Sequence, residues 1–175
     1  MTLKNTETWG GVSRSFHWLI VALLIVQGAL GLFHDDLPRG TMALHISLGV
    51  TILALAITRL AWRLYAGRPA PLAGVSVAQR RIAAFGHFVL YVLLFAVPIT
   101  GWLMSNYGDH AVRWFGLFEM PRLVAPDDAA HEIMEGRHTQ LFWALVIVAV
   151  LHALAAIHHH MFRRNATLTR MLRGS

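Results

Sequence analysis

Four long apolar stretches dominate the chain, and the segments between them hold most of its charged residues. Each stretch approaches or exceeds the roughly 20 residues that a helix needs to cross the hydrocarbon core of a bilayer. A helix also satisfies its own backbone hydrogen bonds, as lipid requires. The pattern therefore predicts four transmembrane helices, over residues 15–33, 42–65, 82–104 and 139–162.

The composition agrees with a membrane protein. Of the 175 residues, 56% are hydrophobic and 14% are charged, whereas about a quarter of the residues in a soluble domain are charged. The first apolar stretch has no small-residue cleavage site after it, so we interpret it as a membrane helix rather than a signal peptide. We expect an all-α fold, a transmembrane four-helix bundle that forms a single domain over residues 1–175.

Lysine and arginine are distributed unevenly over the two ends of this predicted bundle. Eleven of them fall on the end that holds both termini, and four fall on the other end. Basic residues accumulate on the cytoplasmic side of membrane proteins, so both termini are predicted to be cytoplasmic. Eight of the nine acidic residues fall on the external side. Because the charges mark the loops, the net charge of +6 reflects topology, and we expect no nucleic-acid partner.

Histidine is the metal-ligand type that the sequence supplies in surplus, with eleven histidines and no cysteine. The lack of cysteine excludes disulfides, thiolate-ligated iron–sulfur clusters and thioether-attached haem. His138 and His152 lie fourteen residues apart on the fourth predicted helix. That spacing is close to four turns, so both side chains share one face at about 21 Å along the axis. One helix thus carries a candidate ligand near each membrane surface.

Other helices place histidines at the same two depths. His45 lies at the external start of the second helix, at the depth of His138. His17 lies near the cytoplasmic start of the first helix, at the depth of His152. Two facing imidazoles are what a six-coordinate b-type haem needs, and glycines within the spans would give the flat ring room. His87, about two turns into the third helix, is either a ligand in place of His17 or a hydrogen-bonding partner of a propionate or quinone.

The remaining histidines have simpler explanations. His34, His110 and His131 fall in predicted external loops, where we expect them to be solvated. The run at positions 158–160 ends the fourth helix, where a cation suits the helix dipole and the membrane surface. A single intramembrane histidine is often a helix-to-helix hydrogen-bonding residue, so the matching of depths is what favours ligation.

Short motifs occur in a fixed order along the predicted helices. They are Arg14-x-x-His17-Trp18, His45-x-Ser47-x-Gly49, Arg59 near the end of the second helix, Gly86-His87-x-x-x-Tyr91, Pro98-x-x-Gly101, His138-x13-His152, His159-His160 and Thr167-Leu168-x-Arg170-Met171. Taken together, and over nearly its whole length, the chain resembles the prokaryotic cytochrome b561 family.

This resemblance implies two haem b groups in a multi-pass protein of the bacterial inner membrane. Carried over by position, the axial ligands would be His17 with His152 for the cytoplasmic-side haem and His45 with His138 for the external-side haem. Such a protein transfers electrons from a periplasmic donor to ubiquinone in the membrane. In standalone members of the family, a histidine at the cytoplasmic end of the fourth helix lies near quinone, which points to His159 or to its neighbour His158.

The resemblance leaves the electron donor open. Standalone members are associated with superoxide oxidation, which would make the protein an oxidoreductase, and related subunits serve dehydrogenases and hydrogenases. The predicted external loop over residues 105–137, with Trp114 and Phe118 expected to be exposed, suits a protein donor. The acidic part of this loop predicts a short surface helix.

Two considerations weigh on these alternatives. The external side carries eight acidic residues against four arginines, which opposes the attraction of the superoxide anion. A histidine-rich metal transporter or a purely structural bundle is a third possibility, and it predicts a colourless protein. The predicted spans hold no Asp or Glu, which argues against a cation pathway.

Overall fold

The computed structural model describes residues 8–38, 40–72 and 74–173. Its long helices are α1 (Gly11–Leu32), α2 (Thr41–Ala66), α3 (Val77–Tyr107) and α4 (Asp128–Met161). An antiparallel hairpin of β1 (Arg113–Trp114) and β2 (Phe118–Glu119) lies between α3 and α4, and a short helix, α5 (Thr169–Leu172), follows α4. Within the described residues, four helices are long and apolar enough to cross a membrane. The predicted all-α transmembrane four-helix fold is confirmed.

Each of the four long helices begins before the apolar stretch that predicted it. At the start of α3, the Ser76 hydroxyl accepts a hydrogen bond from the Gln79 N–H, and the Gln79 side chain accepts one from the Ser76 N–H. At the start of α4, the Asp127 carboxylate accepts a hydrogen bond from the backbone N–H of Ala130. The acidic stretch that predicted a separate surface helix therefore forms the first turns of α4 instead.

The four helices pack in sequence order. α1 packs on α2, α2 on α3 and, most extensively, α3 on α4, whereas α4 approaches α1 and α2 only sparsely. A small apolar core of Ile20, Ile52, Ala56 and Leu94 lies where α1, α2 and α3 meet. Along each helix these residues fall between the depths of the two predicted histidine pairs. An apolar layer therefore separates those two depths.

Large apolar side chains also cover the outer surface of the bundle. Ile25 on α1 is 69% exposed, and Ile82 on α3 is 72% exposed. Soluble proteins rarely present such a contiguous apolar surface to water. In a bilayer the surrounding solvent is hydrocarbon, so helices that are apolar on all sides are the expected form.

Contacts at the two ends of the bundle define two regions. At one end, which we call the termini end, the Trp18 indole N–H donates to the Met171 carbonyl at 3.1 Å and holds α5 against α1. At the other end, which we call the hairpin end, the Phe115 N–H donates to the Ser47 hydroxyl at 2.9 Å and holds the hairpin against α2. The bundle thus carries a different closing element at each end.

Trp114 differs from its predicted exposure. It is half-buried, and its indole N–H donates to the Thr51 hydroxyl at 3.0 Å. The positive φ angles of Phe115 (48°) and Gly116 (72°) form the tight turn that directs Trp114 back onto α2. Phe118 is 52% exposed, as expected. The exposure of Trp114 was wrongly predicted because its partner lies far away in the sequence.

Two candidate histidine sites

The structure brings His45 of α2 and His138 of α4 together at the hairpin end. Their ring centres lie 6.3 Å apart, with an angle of 80° between the ring planes. The Nδ1 atom of His138 lies 2.9 Å from the Val97 carbonyl, so it donates there and leaves Nε2 free as a lone-pair donor. The Nδ1 atom of His45 is buried, and no residue in the described part of the chain forms a hydrogen bond with it.

Two glycines border these imidazoles closely. A Cβ atom added to Gly31 would lie 3.0 Å from Cε1 of His45, and one added to Gly101 would lie 3.1 Å from Cε1 of His138. By contrast, a Cβ added to Gly86 would meet no atom within 4 Å. Gly31 and Gly101 therefore give room to the imidazoles themselves.

The termini end brings together the second predicted set, His17, His152 and His87. The ring centres of His17 and His152 lie 6.4 Å apart, with 78° between the planes. His87 is closer to His152, at 5.1 Å between ring centres, and its Nδ1 donates to the Ala83 carbonyl at 2.7 Å. The Nδ1 atom of His17 accepts a hydrogen bond from Nη2 of Arg59 at 3.2 Å.

The spacing of the two pairs matches that of two imidazoles on one iron. With about 2 Å from the metal to each nitrogen and about 1.1 Å from that nitrogen to its ring centre, the ring centres should lie roughly 6.2 Å apart. The observed separations are 6.3 and 6.4 Å, whereas 5.1 Å between His87 and His152 is too short. These residues fit a bis-imidazole haem.

The loop histidines follow the sequence prediction in two cases out of three. His34 and His110 are exposed. His131 lies in α4 rather than in a loop, is half-buried, and donates from Nδ1 to the Met104 carbonyl at 2.9 Å. Its predicted solvation was wrong because α4 begins before the apolar stretch does.

The histidines at the end of α4 have different surroundings. His159 is half-buried, and its Nδ1 accepts from the Asn165 side-chain amide at 3.2 Å. It borders a cavity of about 180 Å³, which is also lined by Gly74, Val75, Gln79, Arg163 and Asn165. His158 is exposed and stacks on Phe162 with ring centres 5.2 Å apart. Of the two, only His159 lies beside this cavity.

The contact between Arg59 and His17 was not predicted from the sequence. Arg59 entered the predictions only as a basic residue that indicates topology and as part of a motif. A signal was available, because Arg59 follows His45 by the same fourteen residues that separate His138 from His152. On a helix, that spacing places Arg59 at the depth of the termini-end histidines.

Two pairs of imidazoles lie at two depths of the bundle, and α4 contributes one histidine to each pair. The chain belongs to the prokaryotic cytochrome b561 family, whose sequence model matches residues 8–174. Membership implies haem b binding and electron transfer in the membrane.

Named relatives agree with this membership. Cytochrome b561 homolog 2 of Escherichia coli (strain K12) is 34% identical over 98% of this chain and 95% of its own length. The probable superoxide oxidase CybB of Yersinia pestis is 30% identical, covering 89% of this chain and 90% of its own. Cytochrome b561 homolog 1 of Escherichia coli (strain K12) is 23% identical, covering 89% and 92%.

Proposed function

We propose that the protein transfers electrons from a donor at the hairpin end to ubiquinone at the termini end. Two b haems would be held by His45 with His138 and by His17 with His152. The observation that carries this proposal is the nearly equal spacing of the two imidazole pairs, 6.3 and 6.4 Å. Haem supplies reversible one-electron chemistry, and the protein supplies the ligands, their depth and their orientation.

His87 has a supporting role in this proposal. Its ring centre lies too near that of His152 for both to bind the same iron. Its Nδ1 proton is held by the Ala83 carbonyl, which leaves Nε2 able to accept a hydrogen bond. We therefore assign His87 to the surroundings of the termini-end haem, and His17 to the ligand position.

We propose that the hairpin end faces the periplasm and the termini end faces the cytoplasm of the bacterial inner membrane. Of the basic residues that the structure describes, ten belong to segments at the termini end and three to segments at the hairpin end, which supports this orientation. The donor would then approach from the periplasm.

The quinone site in this proposal lies beside His159. Quinone reduction needs two protons as well as two electrons, and imidazole is well suited to exchange protons near neutral pH. His159 borders the cavity between the α2–α3 connection and the end of α4, whereas His158 is exposed and stacks on Phe162. These contacts favour His159 over His158.

Two donors remain in this proposal. Superoxide is supported by the 30% identical relative that is named a probable superoxide oxidase. A protein donor is supported by the tip of the hairpin, where Phe115, Leu117 and Phe118 are 46%, 73% and 52% exposed. The excess of acidic residues at the hairpin end opposes attraction of an anion and favours the protein donor.

The test is haem quantification and turnover on the purified protein in lipid nanodiscs. We expect two b haems per chain. Ubiquinol formation that depends on superoxide and is suppressed by superoxide dismutase would identify superoxide as the donor. A colourless protein would overturn the proposal. Two haems without superoxide-dependent turnover would eliminate superoxide and leave the protein donor, which co-purification with a redox subunit would identify.

A further inference from the structure

A group of arginines at the termini end is not explained by the ligand assignment. The guanidinium carbons of Arg59 and Arg63 lie 5.7 and 5.5 Å from the ring centre of Tyr91. Arg59 also contacts His17, at 3.2 Å between Nη2 and Nδ1. The Tyr91 hydroxyl is buried and has no hydrogen-bond partner among the described residues. Two cations and an unsatisfied hydroxyl therefore meet beside one of the proposed haem ligands.

These arginines have no counter-ion within the part of the chain that the structure describes. Its eight acidic residues all belong to segments at the hairpin end: Asp35, Asp36, Asp109, Glu119, Asp127, Asp128, Glu132 and Glu135. The arginine–carboxylate ion pairs there are Arg113 with Glu119 and Arg122 with Asp109. A guanidinium within a membrane helix is costly unless it is paired. Contact with an aromatic ring offsets only part of that cost.

The hydrogen bond to His17 cannot remain as it is once that histidine binds iron. A guanidinium only donates, so Nδ1 of His17 accepts, and the single proton of the neutral ring lies on Nε2. Ligation through Nε2 moves that proton to Nδ1. Nδ1 then no longer accepts from Arg59, and the guanidinium needs another acceptor.

We infer that Arg59 and Arg63, with the Tyr91 hydroxyl, bind a propionate carboxylate of the haem held by His17 and His152. This inference rests on the proposed ligands. Haem b carries two propionates, and the planar guanidinium fork matches a carboxylate in charge and geometry. Arg59 lies at the depth of His152. Arg59 follows His45 by fourteen residues and His152 follows His138 by fourteen, and His45 and His138 lie together at the hairpin end.

The same chemistry would suit the phosphate of an anionic lipid, so the experiment must separate the two sources. It compares haem release from the wild-type holoprotein with release from Arg59→Gln and Arg63→Gln, using apomyoglobin as the haem acceptor. Arg81→Gln is the matched control, because Arg81 is an exposed arginine at the same end. We expect Arg59→Gln to release one of the two haems about tenfold faster, equivalent to about 1.4 kcal/mol. Arg63→Gln should have a smaller effect, and the control none.

The decisive comparison uses apoprotein loaded with haem dimethyl ester, which lacks the propionate carboxylates. With the ester, wild type and Arg59→Gln should release haem at the same rate. A rate difference that persists with the ester would overturn the inference, because Arg59 would then act on the protein rather than on the propionate. An unchanged release rate with normal haem, together with lost binding to phosphatidylglycerol vesicles, would assign the arginines to lipid.

One further variant separates this inference from the proposed function. If His17→Ala retains both haems, the ligand assignment fails. If His17→Ala loses one haem but Arg59→Gln releases haem at the wild-type rate, only the propionate inference fails.

Discussion

The two histidine sites have the same spacing but different surroundings. At the hairpin end, the ring of His138 is held by a backbone carbonyl, and two glycines border the pair. At the termini end, the pair lies beside a third histidine and the guanidinium of Arg59. All acidic residues that the structure describes belong to the hairpin end. Within the described residues, the arginines at the termini end therefore have no carboxylate partner.

This difference separates the role of the helix from the role of the side chains. α4 sets the distance between the two sites, because both sites use a histidine of that helix. The side chains around each site set its charge. Nearby positive charge favours the reduced form of a redox centre, and local electrostatics are a main control of haem potential. In the proposed function, the arginines at the termini end would therefore favour electron flow from the hairpin end toward that site.

The largest expected effect comes from removing a proposed ligand. Each iron would lose one of its two axial nitrogens, so each variant should contain one haem per chain instead of two. The variants are His45→Ala and His138→Ala for the hairpin-end haem and His17→Ala and His152→Ala for the termini-end haem. Haem quantification with a redox titration of the absorption spectrum identifies which haem is lost.

His34→Ala is the control for these variants, since His34 is exposed. His87→Ala should also retain both haems, because His87 is not a proposed ligand. If any of the four ligand variants retained both haems with unchanged spectra, the assignment of that histidine would be wrong.

A smaller effect is expected from crowding the hairpin-end pair alone. In Gly101→Ala the new Cβ lies 3.1 Å from Cε1 of His138, whose ring is fixed by its bond to Val97. Overpacking of this kind costs about 1–3 kcal/mol. We expect lower occupancy of the hairpin-end haem, measured by spectral quantification, and normal occupancy of the other.

Gly86→Ala is the matched control, because both substitutions gain the same helix propensity and a Cβ at position 86 meets nothing within 4 Å. Equal haem occupancy in the two variants would show that Gly101 has no role in seating His138.

The third prediction concerns the cavity at the termini end. His159→Ala should raise the KM for ubiquinone about tenfold, since a side chain that hydrogen-bonds a ligand contributes on the order of 1.4 kcal/mol to its binding. His158→Ala should leave the KM unchanged, because His158 is exposed and stacks on Phe162. Steady-state ubiquinol formation measures both. A larger effect at His158 would move the quinone site away from the cavity.

The fold could be predicted from the sequence wherever lipid determines it. Apolar stretches located all four helices, because a membrane helix must be apolar over its whole span. They missed the first turns of α4, which precede the apolar stretch and are polar, with Asp127 as the N-cap. His131 was misplaced for the same reason.

The candidate sites were partly predictable because a helix converts residue spacing into depth. That conversion grouped His45 with His138 and His17 with His152, and the structure brings each of these groups together. The spacing of residues along a helix does not predict contacts between segments that are distant in the sequence. The bond from Trp114 to Thr51 joins the hairpin to α2 and follows no local periodicity. The contact of Arg59 with His17 was missed because a charge count treats every arginine alike.

The smallest expected effect concerns the hydrogen bond that fixes the hairpin, a tie that belongs to the hairpin end alone. The Thr51 hydroxyl accepts from the Trp114 indole and donates to the Ser47 carbonyl at 2.9 Å. Trp114→Phe leaves that second bond intact, whereas Thr51→Val leaves a half-buried indole N–H without its acceptor. Because an unsatisfied donor costs more than a lost pair, Thr51→Val should lower the free energy of unfolding by about 1 kcal/mol and Trp114→Phe by less.

The double variant decides between this bond and simple packing. Removing both partners should be no worse than Trp114→Phe alone, so adding Trp114→Phe to Thr51→Val should restore part of the lost stability. Thr58→Val is the control, since the Thr58 hydroxyl bonds only the Ala54 carbonyl of its own helix, at 2.9 Å. Thermal unfolding in detergent measures all four variants. Strictly additive losses would mean that the hairpin is held by apolar packing, and that the hydrogen bond contributes nothing specific to the hairpin end.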